Sequence, residues 1–469
     1  MIGGIAMGQF WKLIGRQFRL GLATAGGLTV LHSAVLARAP EVPTFAACNP
    51  AAAPQLPQRW HAVGLMMPFL NGQLDVGEFV YDGALRAMRA TIYGLESGAV
   101  DLLITDHETY VLVGSHRAPR SCIALGQKKL RLPSPQWLSQ QAVCTGEAPI
   151  AGQNVQWWQT PGVGTRATWL WFAGKTRLPW RTLFLDRTLD PALIGDYAMS
   201  HFPTFTPLAE THLAALRDRC AATAKPNTTE IEADVPSARD LMAIANKAAE
   251  AERLDRIDTL IPGLGHQACP RMTALRWPDR FRMTAILTPL KFKEGPYSAA
   301  IDYDWNEAQT QLAYMYQGSP PNLLGQISLK NRIGYRAKYK ASGGAQCQAV
   351  LPGIVRPDWM KAAWCECRGV IKHGSALSPD ADAEILSCPI KWQGQRIMWT
   401  WYTTKGRPVL FMEAAPQGGG IMLADYRDWL PNETGAAGEF DLPKECTAPG
   451  GTAWSYSNVS CSDCHTTPW

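Results

Sequence analysis

Beyond residue 36 the chain has no apolar run long enough to span a bilayer. It is also poor in charge: Asp, Glu, Lys and Arg make up 18% of its 469 residues, against about 25% in ordinary globular proteins. The formal net charge is +5, of which Lys12, Arg16, Arg19 and Arg38 supply four, so only +1 is left for everything after them. That balance offers no footprint for nucleic acid or an anionic membrane surface. H-E-x-x-H, G-x-S-x-G and P-loop patterns are missing too, and Gly418-Gly419-Gly420 lacks the flanking chemistry of a phosphate loop. With no catalytic residues to name, the chain reads as a binding protein rather than an enzyme.

The N-terminal region points to export. Lys12, Arg16 and Arg19 precede an apolar stretch from Leu20 to Leu36, and Ala37-Arg38-Ala39 resembles a small-residue cleavage site. Residues 1–39 therefore read as a secretory signal; an uncleaved anchor is the alternative, although the stretch is short for a span. The expected location is secreted or periplasmic. All 12 cysteines lie beyond this segment, and an even number in an exported chain favours disulfides. Three Asn-x-Ser/Thr sequons, at Asn227, Asn432 and Asn458, decide nothing between hosts.

The rest of the chain repeats itself. Cys48, Arg59-Trp60, Tyr81-Asp82, Cys122, Pro135-Gln136-Trp137, Cys144, Trp169-Leu170-Trp171, Asp196-Tyr197 and Cys220 form an ordered series. Cys269, Arg276-Trp277, Tyr303-Asp304, Cys347, Pro357-Asp358-Trp359, Cys365, Trp399-Thr400-Trp401, Asp425-Tyr426 and Cys446 run in the same order. A period this long is a duplicated globular lobe, not a solenoid. The division expected is a signal over 1–39, lobe 1 over 40–224, a linker with an amphipathic helix over 225–265, lobe 2 over 266–446 and a tail over 447–469.

Both lobes read as strands with short turns. Glu78–Tyr93 and Ala99–Val113 alternate at period two around Glu96-Ser97-Gly98. Tyr297–Trp305 and Thr310–Tyr316 read as a hairpin, Ile327–Leu329 and Tyr335–Tyr339 flank a polar turn, and Ala167–Phe172 and Arg396–Tyr402 are Trp-rich strands. Pro236-Ser237 opens a helix, with Ser237 and Asp240 like a capping box. Its apolar positions Leu241, Ile244, Ala248, Ala251, Leu254 and Ile257 keep helical spacing to Pro262-Gly263, so the helix packs on one lobe or between both.

These landmarks carry a family resemblance. Cys48, Pro50, Trp60, Phe79, Tyr81-Asp82, Arg86, Arg89, Asp101-Leu102-Leu103, Tyr110-Val111-Leu112 and Cys122, with Phe440-Asp441-Leu442-Pro443 before Cys446, resemble the ependymin-related proteins. Their fold is similar to that of bacterial lipoprotein carriers. The resemblance implies an α+β, mainly β protein. Each lobe would be a curved antiparallel half-barrel with helices closing a hydrophobic cavity, disulfide-stabilised, secreted and holding a lipid-like ligand, with calcium in some members. Members normally have one lobe per chain and pair as dimers, so two tandem lobes pairing within one chain is the expectation here. The sequence departs from the family where a mid-domain Cys before a Pro is replaced by Arg177 and by Arg407. The lobe 1 ending, Phe205-Thr206-Pro207 with a distant Cys220, is looser.

The same resemblance implies Cys48–Cys144 and Cys122–Cys220, with Cys269 to Cys365 or Cys367 and Cys347 to Cys446 in lobe 2. Four cysteines per lobe also permit a local alternative, Cys122–Cys144 with Cys48–Cys220. Whichever of Cys365 and Cys367 is spare has Cys388 as its natural partner. Left over are Cys461 and Cys464, followed by His465. Cys461-Ser462-Asp463-Cys464-His465 is the pattern of covalent haem c attachment: two thiols three apart meet the vinyl groups, and the histidine becomes an axial ligand. A Cys461–Cys464 disulfide stapling the tail is the alternative, with a metal or reactive dithiol behind it.

Asp302 and Asp304 alternate onto one sheet face in Asp302-Tyr303-Asp304-Trp305-Asn306-Glu307. The stretch begins like a calcium loop but lacks the glycine at its sixth place, so a solvated face competes with a cation site. The 18 tryptophans include Trp169 with Trp171 and Trp399 with Trp401, each pair sharing a face by alternation. They are either core packing or the aromatic wall of an apolar ligand cavity. Two functions follow: a carrier of a hydrophobic small molecule or lipid, or a c-type haem protein whose lobes are scaffold. An extracellular interaction protein with side-chain-filled cavities is a blander third.

Overall fold

The computed structural model describes residues 44–48, 54–68, 75–94, 98–114, 119–126, 132, 142–150, 153–161, 167–173, 177–183, 197–226, 250–261, 277–289, 296–304, 310–317, 322–330, 333–339, 345–350, 357, 365–371, 382–392, 395–404, 407–414 and 421–432. The expected signal over 1–39, the start of the predicted helix at Pro236-Ser237, Cys269, Cys446 and the Cys461–His465 motif lie outside them.

The first sheet contains β1 (Arg59–Pro68), β2 (Asp75–Asp82), β3 (Ala87–Gly94), β4 (Gly98–Thr105), β5 (Thr109–Gly114), β6 (Pro119–Ala124), β7 (Val143–Ile150), β8 (Gln153–Pro161), β9 (Ala167–Ala173), β10 (Pro179–Leu183), β11 (Tyr197–Pro207) and the short β12 (Lys225–Pro226). The second contains β13 (Arg280–Pro289), β14 (Tyr297–Asp304), β15 (Thr310–Gln317), β16 (Asn322–Lys330), β17 (Ile333–Tyr339), β18 (Ala345–Val350), β19 (Glu366–Ile371), β20 (Ala383–Trp392), β21 (Gln395–Thr404), β22 (Arg407–Ala414) and β23 (Ile421–Pro431). Two helices are described, α1 (Leu213–Thr223) and α2 (Glu250–Leu260). The described residues are thus mainly β, in two open sheets with two helices.

Strand order in the first sheet is β12-β6-β5-β4-β3-β2-β1-β11-β10-β9-β8-β7, and in the second β18-β17-β16-β15-β14-β13-β23-β22-β21-β20-β19. Each strand of the second sheet occupies the place of the strand twelve earlier. All neighbours are antiparallel except β12, which runs parallel to β6. The internal details repeat as well. Trp60 stacks on Tyr81 at 5.4 Å and Phe281 on Tyr303 at 4.6 Å, while Arg59 pairs with Asp82 and Arg280 with Asp304. A bulge separates Cys144 from Gly146 on β7 and Cys367 from Gly369 on β19.

That register corrects several sequence correspondences. Phe281, not Trp277, stands where Trp60 stands. Trp277 precedes β13 and caps its end, edge-on to Phe281 at 5.4 Å. Trp171 pairs with Trp157 on β8, whereas Trp401 pairs with Leu386, the counterpart of Trp158. Trp401 therefore takes the place of Leu170, one residue out of phase, and a one-residue slip exchanges the faces of a strand. Asp425 pairs with Ile286, and the residue pairing with the counterpart Leu65 is His201, not Asp196. The lobe 1 ending Phe205-Thr206-Pro207 corresponds to Trp429-Leu430-Pro431, since Pro207 pairs with Trp60 and Pro431 with Phe281. The run Glu78–Tyr93 is two strands, because Asp82 Oδ1 accepts hydrogen bonds from the Ala84 and Leu85 amides and Arg86 turns at φ 49°.

Disulfides tie strands to flanking segments. Cys48 is bonded to Cys144 and Cys122 to Cys220, the pairing implied by the resemblance and not the local one. Cys365 is bonded to Cys388, which leaves Cys367 at the place of Cys144. Cys347 and Cys367 are also disulfide-bonded, and among the described residues no cysteine is free. The Cys48 bridge holds segment 44–48 against β7, where Ala46 exchanges backbone hydrogen bonds with Glu147. Gly146 admits this approach: a Cβ there would meet Phe45 at 3.1 Å.

Both faces of the first sheet are buried. One face carries Trp60, Ala62, Met66, Phe79, Tyr81, Met88, Ala90, Ile92 and Phe202. On the other, α1 packs Leu213 and Cys220 on Ala87, Leu103, Leu112 and Cys122. Farther along that same face, α2 places Ile257, followed by Ile261, in a cluster shared by both sheets. The predicted interlobe helix is thus helical over Glu250–Leu260, while α1, with Leu213, Leu216 and Cys220 at helical spacing, was missed.

Candidate functional site

The shared cluster joins Val63, Leu65, Val76, Tyr93, Val155, Trp157, Trp171 and Trp180 of the first sheet to Ile286, Ile385, Leu410, Met412 and Leu423 of the second. Leu65, His201, Arg181, Trp171 and Trp157 are successive cross-strand partners, so their side chains leave one face as a row. A bulge between Pro179 and Arg181 re-aims the chain, as bulges do. It lets Trp180 and Arg181, consecutive in sequence, face the same cluster.

Charge is concentrated in that row. The Arg181 guanidinium lies over the Trp180 ring at 4.5 Å and the Trp171 ring at 5.6 Å. Its Nη1 donates to both Oδ1 and Oδ2 of Asp425 on β23, each at 2.9 Å. Both side chains are almost inaccessible, at 1% and 5% exposure. Burial pushes the Asp425 carboxyl up, against the pull of Arg181. His201 packs edge-on to Trp180 at 4.7 Å. Burial, aided by the Arg181 charge, holds its pKa well below the usual imidazole value, so His201 is neutral at ordinary pH. A second cross-sheet hydrogen bond runs from Trp157 Nε1 to Thr288 Oγ1, 3.3 Å.

Close by, α2 is fastened to the sheet. Arg256 donates through Nε to Glu78 Oε2 at 3.1 Å and through Nη2 to Glu78 Oε1, and His61 Nε2 lies 3.1 Å from the same carboxylate. Tyr93 shares this corner, its hydroxyl pushed upward by burial and by Glu78.

Of the sequence-stated site residues, Trp171 lies in this row, fully buried. Trp169 is two residues away on β9, and Trp399 and Trp401 are on β21; the side chains of these three lie outside the described residues. Asp302 and Asp304 are elsewhere, on β14. Both are buried rather than solvated, and Arg282 Nε and Arg280 Nε stand 2.6 and 3.2 Å from their carboxylates. Among the described residues no group of three or more His, Cys, Asp or Glu is placed to hold a metal ion. Arg181, His201 and Asp425 were missed as a set. The available signal was an arginine inside the apolar strand Pro179–Leu183, at the register place that Leu410 fills in the second sheet.

No protein-family profile and no curated protein matches the chain. Among solved structures it is similar to an uncharacterised conserved protein of Thermus thermophilus, at 15% identity over 37% of this chain and 92% of that one, TM-score 0.25. Another is the Pseudomonas aeruginosa MucB solved with MucA, at 12% identity over 62% and 86%, TM-score 0.21. A LolA-superfamily protein of Nitrosomonas europaea gives 14% identity over 39% and 99%, TM-score 0.20.

Proposed function

We propose that this chain is an exported, non-catalytic carrier built of two duplicated half-barrel lobes paired within one polypeptide, holding a hydrophobic, lipid-like ligand against its aromatic inter-sheet face. The observation that carries the reading is the gathering of Trp157, Trp171 and Trp180 on one face of the first sheet, in an apolar cluster continuous with the second sheet and with α2. Disulfides at the described cysteines are compatible with an oxidising, exported location, and no described helix is long and apolar enough to cross a membrane.

The energetics restrict the ligand. Each methylene removed from water contributes about 0.8 kcal/mol, while association costs on the order of 4–15 kcal/mol before ordering of side chains. A short chain does not offset that cost; an acyl chain of roughly ten or more carbons does. The test is titration of the full chain with a pyrene-labelled sixteen-carbon acyl ester, followed by fluorescence. Saturable binding that weakens in Trp171→Ala supports the reading. Absence of saturable binding, or an unchanged affinity in a folded Trp171→Ala protein, overturns it.

The second reading rests on Cys461-Ser462-Asp463-Cys464-His465, whose donor set of two thiols and an adjacent imidazole fits covalent haem c. Haem would supply electron-transfer or haem-linked chemistry, with Cys461, Cys464 and His465 as the residues that would hold it. A visible spectrum with intact mass on protein from its native host decides this: a Soret band with the haem increment supports it, and a colourless chain at polypeptide mass excludes it.

A further inference from the structure

Among the described residues, five buried side-chain atoms on the inter-sheet face of β9, β10 and β11 have no hydrogen-bond partner: Trp171 Nε1, Trp180 Nε1, Arg181 Nε, and Nδ1 and Nε2 of His201. Leaving a buried polar group unpaired costs about 1–3 kcal/mol each, and native proteins avoid it. Their concentration around one guanidinium, within 4.5–5.6 Å of two indole rings, is therefore a feature to explain.

We infer that Trp171, Trp180, Arg181 and His201 form a polar subsite for an uncharged, oxygen-bearing head group, an ester, amide or hydroxyl, on the ligand carried between the sheets. The inference rests on the carrier reading and adds the class of ligand. The three N–H groups on Trp171, Trp180 and Arg181 donate only, and neutral His201 offers one donor and one acceptor, so the set matches a guest richer in acceptors than in donors. Charge sets the other limit. Arg181 is already matched by Asp425, and burial keeps His201 neutral. A free carboxylate would add an uncompensated negative charge in a buried place beside Asp425, which is strongly unfavourable. An ester oxygen accepts the same hydrogen bonds without that charge. The surrounding apolar side chains of the shared cluster suit the hydrocarbon part.

The test uses the full chain and the pyrene-labelled ester as probe, displaced at pH 7.5 by methyl hexadecanoate, hexadecanoate or hexadecane. One net hydrogen bond contributes up to about 1.4 kcal/mol, so the methyl ester is expected to compete about tenfold better than either rival. His201→Phe and Trp180→Phe should each shrink the ester-to-hydrocarbon ratio to about twofold or less. Equal competition by all three, preference for the carboxylate, or an undiminished ratio in a folded variant overturns the subsite while leaving the carrier reading intact. Failure of the probe to bind at all overturns both. Should neither variant fold, a crystal structure of the unaltered protein soaked with methyl hexadecanoate decides: ester oxygens on these donors support the subsite, and ordered water alone overturns it.

Discussion

Replacing Arg181 by Leu, the residue at the matching place of the second sheet, leaves Asp425 buried without its cation. The two react differently to that loss. A carboxyl can escape by taking a proton. Holding a group of unfolded pKa about 3.9 protonated at pH 7 costs about 1.36 kcal/mol per unit, or about 4 kcal/mol. The sign follows from linkage: above pH 3.9 the folded variant binds a proton that the unfolded chain does not, so the variant loses stability as pH rises. Arg181→Leu is therefore expected to cost about 4 kcal/mol at pH 7 but only about 1.5 kcal/mol at pH 5. In Asp425→Leu the stranded arginine has no such escape, since it stays protonated throughout, and the cost of about 3–5 kcal/mol is flat over the same range. With both replaced no charge is buried, and the double variant should return to within about 2 kcal/mol of the parent. Urea unfolding followed by tryptophan fluorescence at both pH values measures all three. Single-variant costs under about 1 kcal/mol, independent of pH and additive in the double, would be those of an exposed pair and would refute this account of the interface.

Neutral, buried His201 has a folded pKa far below its unfolded value of about 6.5, so the unfolded state takes up a proton first and stability falls on acidification by about 1.4 kcal/mol per pH unit below 6.5; urea midpoints for His201→Phe should lose that one-proton slope, and an unchanged slope would place the titration elsewhere. Replacing Cys365 and Cys388 by Ser opens a loop with a sequence separation of 23, against 98 for Cys122–Cys220. Chain entropy assigns losses of about 3.5 and about 4.7 kcal/mol respectively, so thermal melts should rank the second pair as the more damaging. A Cβ on Gly77 would lie 2.5 Å from the Phe79 ring and 2.6 Å from Met66 Sδ, both in a filled core; Gly77→Ala should cost about 1–3 kcal/mol by overpacking, and a neutral melt would show that this core can yield.

What the sequence revealed was whatever is local or repeated. The pairing of the Tyr297 and Thr310 strands, the pairing of Asn322–Lys330 with Ile333–Tyr339 and the Trp-rich strands all follow from period-two alternation, and Tyr81-Asp82 and Tyr303-Asp304 do share one register place. Phase was the hidden variable. Trp169-Leu170-Trp171 and Trp399-Thr400-Trp401 look superposable as letters, but the ladders place Trp401 opposite Leu386 and Trp171 opposite Trp157. Bulges are not the cause, because the shifts at Pro179–Arg181 and at Val63–Leu65 recur in the second sheet at Tyr402–Thr403 and at Met283–Ala285; the Trp-x-Trp motif itself stands one residue earlier in β21 than in β9. The ion pair was hidden for another reason: Arg181 and Asp425 are 244 residues apart, and only stacking of the two sheets brings them together. Helix α1 was legible in its Leu213, Leu216, Cys220 spacing but was overshadowed by the cysteine pattern. Alternation puts Asp302 and Asp304 on one face but cannot say that Arg282 and Arg280, on β13, stand opposite them.

Native mass spectrometry of the full chain incubated with methyl hexadecanoate is the most direct measurement of the central claim, that the inter-sheet aromatic face holds a hydrophobic guest. The account predicts a saturable non-covalent adduct of ester mass, diminished in a folded Trp171→Ala protein. A chain that stays at its polypeptide mass with the ester, the free acid and the hydrocarbon alike would contradict it.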